Sequence, residues 1–485
     1  MRINNNMSAV ITNNQLLGTE DSLADVMEKL SSGFSINHAS DNPSGIAIAG
    51  KMQAQIDGLA QASTNSSDGI SVLQTAEGAL NEVTDMIQRM RELSVQAANG
   101  TNSLSDKQSI QKEIDSLLEE IDRVADTTEF NSINLLNGSL DNRTYGEHVT
   151  RIQTSNAVPA GLYTLKIDSA ATQAKVGGTN PLFGDAAIDT LPMSGELLIN
   201  GFGVTLMEGM SRESVYEAMR DACEHGGALV SDPDQNFEIT SLKYGANAEL
   251  RVEFSSIEFA AALGIDNVQL EEIVDEEGNV TEYGAPVAKA TGKDAEVQLD
   301  TTSMFGTQAT VKKDGNHMII TDTNGFQISF LADAGYDATT DEDGQGLITL
   351  NVTDIGSMTL HVGANKNQNM DVRIAAVTTE FMYIDDLDVT RKNGPEDALD
   401  SLDVALSYVT SVRSQLGAYE NRLDHTTKSL DTTEENMTSA ISRIEDADMA
   451  TTMVEYTKLN VLEQAGTSAL AQANELPQLA LQLLQ

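Results

Sequence analysis

Apolar residues recur every seven positions near the C-terminus, and this repeat predicts the first structural element. No proline lies between Pro395 and Pro477, so nothing in the chain forces a break there. A strict seven-residue repeat is typical of a helix that supercoils against a partner helix. Because such a helix cannot bury its own apolar stripe, a matching helix is expected elsewhere. The repeat consists of Leu402, Val409, Leu416, Leu423, Leu430, Met437 and Ile444.

A matching pattern lies near the N-terminus. Leu73, Leu80 and Ile87 are spaced by seven residues, and a second apolar row runs beside them. A third amphipathic helix follows, for which Ser105 and Gln108 suggest a capping box. We predict a mainly α-helical fold at the termini, an antiparallel coiled-coil-like rod with a small β element. Its predicted seam comprises Leu73, Leu80, Ile87, Leu402, Val409, Leu416, Leu423 and Leu430.

The middle of the chain changes to a period of two, which is the period of a half-buried strand. Ser211 is expected to cap a short helix that ends at Gly226 and Gly227. The central region is therefore predicted to be a β-rich α+β insertion between the two helical ends. The alternating apolar sets are Tyr163, Leu165 and Ile167; Leu250, Val252 and Phe254; and Ile348, Leu350 and Val352.

Composition and charge narrow the possible partners. The formal net charge is -45, and the acidic residues are spread along the chain. Nucleic acids and anionic membranes are bound through clustered Lys and Arg, so we expect neither nucleic-acid binding nor membrane insertion. The N-terminus lacks the apolar core of a signal peptide. This pattern fits a cytoplasmic protein or one exported without a cleaved signal.

The sequence offers little catalytic chemistry. Cys223 is the one cysteine, which excludes a disulfide framework within the chain and favours a structural thiol. The histidines are scattered, and neither a His-Glu-x-x-His motif nor a Gly-x-Ser-x-Gly motif occurs. Acidic turns at 275–278 and 341–344 lack the ligand spacing of a calcium loop and are interpreted as solvated turns. We therefore expect no enzymatic activity, no cofactor and no metal site.

Ordered motifs at both ends resemble those of bacterial flagellin. At the front they cover about 140 residues and at the back about 130. The front motifs are Leu30-Ser31-Ser32-Gly33, Gln74-Thr75-Ala76-Glu77-Gly78-Ala79-Leu80 and Gln88-Arg89-Met90-Arg91-Glu92-Leu93-Ser94. The back motifs include Leu416-Gly417-Ala418, Asn421-Arg422-Leu423, Ser442-Arg443-Ile444 and Ala471-Gln472-Ala473-Asn474.

The resemblance implies a domain organisation. Segments 1–42 and 449–485 are expected to form the inner-tube part, helical in the filament and disordered in the monomer. Segments 43–142 and 357–448 would form the helical rod domain. The insert, residues 143–356, would hold an outer β-rich domain at 143–284 and a second β-rich unit at 285–356. Residues 186–266 resemble the hook-IN motif of flagellar outer domains.

The resemblance also implies a function and partners. The chain is expected to be an extracellular structural subunit that polymerises with copies of itself into the flagellar filament for motility. Expected partners are the flagellar export machinery, a flagellin chaperone, and the filament cap and hook-associated proteins. A related alternative is a hook–filament junction protein. An adhesin or ligand-binding role for the insert is a further alternative, compatible with the first.

A group of three residues leads to a hypothesis about a receptor. In the family, an Arg and a Leu on the first long rod helix and a Glu on the next helix form the patch bound by vertebrate Toll-like receptor 5. The matching residues are Arg89, Leu93 and Glu113. Arg89 and Leu93 are four residues apart and so are expected to share one helix face. Contacts between filament subunits would explain the same residues, so both interpretations stay open.

Overall fold

The computed structural model describes residues 6–155, 158–177, 181–184, 188–231, 237–265, 268–274, 280–299, 304–306, 308–322, 325–338, 346–353, 355–391 and 393–482. The two acidic turns considered as calcium sites, 275–278 and 341–344, lie outside these ranges. The chain divides into two compact units. The first comprises Met1–Ser71, Leu360–Met370 and Glu420–Gln485, and the second comprises Val72–Thr359 and Asp371–Tyr419.

The helices occupy both ends of the chain and two places in the insert. They are α1 (Met7–Ser32), α2 (Pro43–Ala97), α3 (Leu104–Thr127), α4 (Arg212–Gly226), α5 (Ile257–Ala262), α6 (Gly394–Glu445) and α7 (Met449–Gln482). The predicted seven-residue repeat thus lies on one uninterrupted helix, α6. None of the helices within the described ranges is long and apolar enough to cross a membrane.

The strands are short and lie almost entirely in the insert. They are β1 (Glu129–Phe130), β2 (Ile133–Asn134), β3 (Thr144–Gly146), β4 (Val149–Thr154), β5 (Gly161–Ser169), β6 (Gln173–Gly177), β7 (Gly195–Ile199), β8 (Phe202–Leu206), β9 (Ala228–Val230), β10 (Glu238–Tyr244) and β11 (Glu249–Phe254). They continue with β12 (Gln269–Val274), β13 (Val280–Thr291), β14 (Glu296–Leu299), β15 (Thr310–Asp314), β16 (His317–Thr321), β17 (Gln327–Ala332), β18 (Leu347–Val352), β19 (Met358–His361) and β20 (Asn369–Val372).

The long helices α2 and α6 run antiparallel in the second unit. The Arg91 Nε atom lies 2.7 Å from Asp403 Oδ1, and Arg413 Nη2 lies 3.6 Å from Glu77 Oε1. The position on α6 therefore falls as the position on α2 rises. In the first unit the same order holds, because Ser63 Oγ donates to Asp431 Oδ1 over 2.9 Å and Ile56 packs in a cluster with Ile441.

The N-terminus of α3 differs from the sequence expectation. Ser103, rather than Ser105, is the N-cap, and its partner in the capping box is Asp106 rather than Gln108. The Ser103 hydroxyl accepts from the Asp106 backbone N–H, while the Asp106 carboxylate accepts from the Ser103 backbone N–H. The shorter Asp side chain closes the box as well as Glu or Gln does, and the helix starts earlier as a result.

The β-rich insert contains two cores, both in the second unit. Sheets of order β14-β5-β18-β3 and β15-β16-β17-β4 enclose one core, which includes Tyr163, Ile320 and Phe330. The sheet β12-β13-β11-β7-β8, the sheet β6-β10-β9 and the helices α4 and α5 enclose the other. All nine residues of the predicted alternating sets are buried, as that pattern requires.

The expected boundary between two outer units at 284/285 is wrong for the strands at the start of the insert. Strands β3, β4 and β5 were expected to belong with residues up to 284, but they pair with β14, β17 and β18. This pairing joins residues far apart in the chain, and local periodicity carries no information about it. At the base of the insert, Arg143 N donates to Ile355 O over 2.9 Å, and Thr353 N donates to Arg143 O over 3.1 Å.

The small β element also differs in detail. It consists of two separate hairpins, β1-β2 before the insert and β19-β20 after it. In the second unit the two flanks are joined outside these strands, since Val377 N donates to Leu136 O over 2.8 Å. The fold class, long terminal helices with a β-rich central insertion, is confirmed.

Candidate functional site

The eight predicted seam residues are all buried. Six of them lie in the second unit, on facing stretches of α2 and α6, and two lie in the first. In the first unit, Leu430 packs in a cluster with Leu59 and Ala62 of α2. The seam of α2 and α6 is therefore completed within one chain. Its members are Leu73, Leu80, Ile87, Leu402, Val409, Leu416, Leu423 and Leu430.

Helices α1 and α7 pair antiparallel in the first unit. Ala447 N donates to Gly33 O over 2.9 Å at one end, and Asn6 Nδ2 donates to Ala473 O over 2.8 Å at the other. Gly33 adopts a left-handed conformation with φ of 79°, which ends α1 and turns the chain. A Cβ atom at Gly466 would lie 3.2 Å from Leu16 Cδ1, so glycine at this position leaves room for that leucine.

This helix pair leaves much of its apolar surface uncovered. Leu16 is the buried residue of α1, and Ala473 is the buried residue among the described side chains of α7. Ten large apolar side chains elsewhere on the pair are close to half exposed or more, while others, such as Leu23, Leu30 and Leu459, are partly covered. The surface of these ten side chains, termed here the terminal apolar surface, comprises Met7, Val10, Ile11, Leu17, Met27, Met449, Met453, Val454, Val461 and Leu462.

The sequence predicts that the terminal segments 1–42 and 449–485 form the inner-tube part of the filament, but it does not name these exposed side chains. A signal existed, because the apolar residues of α7 point to several sides of the helix, and one partner helix covers one stripe only. Extended apolar patches of this kind on a soluble protein mark sites of association with other molecules. The exposed residues are therefore candidates for contacts between copies of the chain.

The three receptor-patch residues lie around one shallow groove between α2 and α3. The Arg89 Nη2 atom lies 2.7 Å from Glu113 Oε1, and Arg89 Nε donates to the same oxygen over 3.0 Å. Arg89 and Glu113 are half exposed, whereas Leu93 is 2% exposed. The groove has a volume of about 450 Å³ and is lined by Arg89, Leu93, Gln96, Asn102, Asp106, Ser109, Ile110 and Glu113.

Arg89, at the edge of the groove, is paired with carboxylates in the free chain. Hydrogen bonds to Glu113, and then to Glu92, raise the pKa of the Arg89 guanidinium above its usual value. Arg89 and Leu93 thus border the same groove, but they differ in role. The guanidinium and the Glu113 carboxylate are half exposed, while Leu93 is a buried part of the groove lining.

Comparison with known proteins decides the family. Residues 3–141 match the model of the bacterial flagellin N-terminal helical region, and residues 399–484 match that of the C-terminal helical region. A flagellin of Salmonella muenchen is 33% identical over 99% of this chain and 99% of its own length. The chain belongs to the bacterial flagellin family.

A second curated relative agrees with this assignment. A flagellin of Clostridium tyrobutyricum is 31% identical over 98% of this chain and 99% of its own length. Among solved structures, FliC from Burkholderia pseudomallei is 17% identical and covers 73% of this chain and 99% of its own, with a TM-score of 0.23. Flagellins are a structural protein family, and this flagellin is a structural subunit of the flagellar filament.

The remaining candidate chemistry is weak. Cys223 is buried, and that burial raises the pKa of its thiol to about 12, which keeps it protonated and unreactive at neutral pH. Within the part of the chain that the structure describes, no three His, Cys, Asp or Glu side chains are grouped so that they could hold a metal ion.

Proposed function

We propose that this flagellin polymerises through the terminal apolar surface, and that neighbouring copies of the chain supply the burial which α1 and α7 lack. The observation that carries this proposal is the exposure of Val454, at 70%, beside Val461, at 60%, on a helix that has α1 as its partner in the chain. Burial of apolar area is the dominant favourable term in association.

The physical argument is a balance of burial against ordering. Fixing the backbone of each residue costs roughly 1–2 kcal/mol, which must be offset by buried apolar area. The α2–α6 seam recovers this cost within one chain. The terminal segments, expected to be disordered in the monomer, recover it only after contact with other subunits.

The test is a pair of charge substitutions on α7. The variants Val454→Glu and Val461→Glu each place a carboxylate where another subunit would pack, so we expect neither to form filaments. Because both positions are exposed in the monomer, the free energy of unfolding should change by less than about 0.5 kcal/mol. Electron microscopy and urea unfolding measure the two effects.

A matched control uses Leu229→Glu, at a position that is 51% exposed on β9 of the insert. This variant is expected to polymerise like the unmodified chain and to form filaments that carry the insert as an outer layer. Normal filaments from both α7 variants would refute the proposed assembly surface. Loss of filaments from the Leu229 variant as well would place part of the assembly surface on the insert.

Further elements of the proposed function concern export and partners. We infer that the subunit lies outside the cell, having been exported by the flagellar export machinery with a flagellin chaperone. It would contact the filament cap and the hook-associated proteins at the ends of the filament. We expect no catalytic role for this chain. Digestion of casein by the purified protein with added zinc would contradict this expectation.

A second proposed function is recognition of the monomer by Toll-like receptor 5. The observation that favours it is the half-exposed Arg89–Glu113 pair at a groove that the buried Leu93 also lines. A guanidinium that is already oriented loses less side-chain freedom on binding than a free one, and arginine is enriched among binding hot spots. Leu93 would act by supporting Arg89 rather than by touching the receptor.

The receptor hypothesis predicts a weakened complex for Arg89→Ala. The expected loss is roughly 1–3 kcal/mol of binding free energy, measured by titration of the receptor ectodomain. Arg123→Ala is a matched control, because Arg123 is a half-exposed arginine of α3 that pairs with Glu120 in its own helix. Equal binding by the Arg89 variant and the unmodified chain would reject the patch.

A further inference from the structure

Four methionines lie on the terminal apolar surface and are strongly exposed. Met7 is 62% exposed, Met27 53%, Met449 47% and Met453 49%. By contrast, Met90, Met219 and Met318 are fully buried within the second unit. Oxidation of methionine depends on access to the sulfur, so the four terminal methionines are the ones in α1 and α7 open to a soluble oxidant.

Three of the four lie at one end of the α1–α7 pair. Ala447 is hydrogen-bonded to Gly33 across the pair, and an ideal Cβ at Gly466 would lie against Leu16, so partner positions on the two helices sum to about 480. Met27 on α1 therefore lies at the level of Met453 on α7. Met449 lies one helical turn from Met453 and on a similar side.

We propose that these methionines are an oxidation site that controls polymerisation of this flagellin. The inference rests on the proposed assembly surface. Oxidation of Met7, Met27, Met449 and Met453 by hydrogen peroxide, or by another two-electron oxidant such as hypochlorous acid, blocks addition of the monomer to a filament.

The reaction is balanced for each residue. The methionine sulfur forms one bond to oxygen and loses two electrons, while the O–O bond of the peroxide breaks and the peroxide is reduced to water. The product is methionine sulfoxide, which is polar where the thioether was apolar. A sulfoxide buried against another subunit requires a hydrogen-bond partner that an apolar contact does not supply.

Assembly state determines access. In the monomer the four side chains are open to the oxidant, and in the filament the neighbouring copies would cover them. Monomer is therefore sensitive, and assembled filament is resistant. Methionine sulfoxide reductases act on accessible sulfoxides, so the block on the oxidised monomer is reversible.

The insert provides an internal control. Met207 and Met304 are 65% and 49% exposed, comparable with the terminal methionines, but they lie in the insert. They should be oxidised at a similar rate in the monomer and remain open in the filament. Their oxidation is expected to leave polymerisation unchanged.

The experiment compares purified full-length monomer with and without peroxide treatment. Treated monomer is expected to need a roughly tenfold or higher concentration to form filaments, because several buried apolar contacts are lost at once. A mixture of the reductases MsrA and MsrB should restore assembly. The variant with Met7, Met27, Met449 and Met453 changed to Leu should polymerise equally well before and after peroxide, whereas the Met207→Leu, Met304→Leu variant should remain sensitive.

A second measurement does not depend on the variants. Partly oxidised monomer is polymerised, and peptide mass spectrometry compares sulfoxide content in the filaments and in the remaining monomer. Sulfoxide at the four terminal positions should be depleted from filaments, while sulfoxide at Met207 and Met304 should be distributed evenly. Even distribution at all six positions, or unchanged assembly of fully oxidised monomer, overturns the proposal. Assembly of untreated monomer through Val454 and Val461 is a separate result, so the two proposals fail independently.

Discussion

The two helix pairs of this flagellin treat the same kind of side chain in opposite ways. On α2 and α6, Leu80, Ile87, Val409 and their neighbours are buried by the chain itself. On α1 and α7, residues of the same size stay exposed, with Leu16 and Ala473 as the buried positions among those described. The α2–α6 pair thus forms a core that is completed within the chain, whereas the α1–α7 pair leaves many of its apolar residues uncovered.

The difference shows that apolar content alone does not separate a core from an assembly surface. What separates them is whether the chain contains enough partners to cover each stripe. Helix α2 meets α6 along one stripe and α3 packs nearby with Ile114 and Ile121 buried, so most large apolar residues of α2 and α6 are covered; the exceptions include Ile48, Val95 and Val404, which are 51%, 54% and 66% exposed. Among the described residues, α1 is the helix that packs along α7, and one helix covers one stripe.

The largest expected effect comes from placing a charge in the core between α2 and α6. Leu416→Asp places a carboxylate at a position that is 1% exposed. We expect a loss of roughly 3–5 kcal/mol in the free energy of unfolding, together with the loss of filaments. Urea unfolding followed by circular dichroism measures the first effect, and electron microscopy measures the second. Leu416→Met, which keeps the volume, should cost less than about 1.5 kcal/mol.

Truncation of one isoleucine in each pair tests the comparison directly. Ile87 is fully buried, and Ile11 is 56% exposed. Ile87→Ala should lower the free energy of unfolding of the monomer by roughly 2–5 kcal/mol, because it removes packed atoms and leaves a cavity. Ile11→Ala should change it by less than about 0.5 kcal/mol while raising the concentration needed for assembly. A similar loss in the free energy of unfolding for both variants would contradict the difference in burial between the α2–α6 and α1–α7 pairs.

The smallest effect lies in the insert and is set by pH. Hydrogen bonds from Arg251, and then from Lys289, lower the pKa of Glu271 from its ordinary 4.5 to about 2. A carboxyl group with a depressed pKa in the folded state adds stability that is complete above its unfolded value. That contribution is lost as the pH falls from 4.5 towards about 2.

The measurement compares unfolding of the unmodified chain and of Glu271→Gln across this pH window. The variant should lose less stability on acidification, since it lacks the titrating group. Because these side chains are partly exposed, the difference should be small, as for other surface ion pairs. Identical pH profiles would show that the Arg251–Glu271–Lys289 group adds no measurable stability.

The helical core could be predicted from sequence because the seven-residue repeat is a local property that survives over the whole of α6. Each of the eight seam residues is buried where the repeat places it. The alternating strands were predicted for a similar reason, since period two marks one buried face. The strand partners could not be predicted in this way. The pairing of β5 with β14 and β18 joins residues more than a hundred positions apart.

Only part of the receptor groove could be predicted from the sequence. The spacing of Arg89 and Leu93 indicated proximity on α2, but it did not show that Leu93 is buried while Arg89 is exposed. Helix α3 contributes Ile110 to the groove that Leu93 lines and carries Glu113 to within 2.7 Å of Arg89, and the spacing of residues on α2 does not show this. The capping box at Ser103 and Asp106 sets where α3 begins.

The sequence by itself determined the family, the two helical ends, the β-rich centre and the seam of α2 and α6. These follow from motifs and from repeats that a helix or strand imposes on neighbouring residues. The tertiary structure alone decided which strands share a core and which apolar residues of α1 and α7 remain uncovered, Met453 and Val454 among them. Burial depends on how many partners reach a surface, and that number is a property of the packed chain rather than of any local stretch of it.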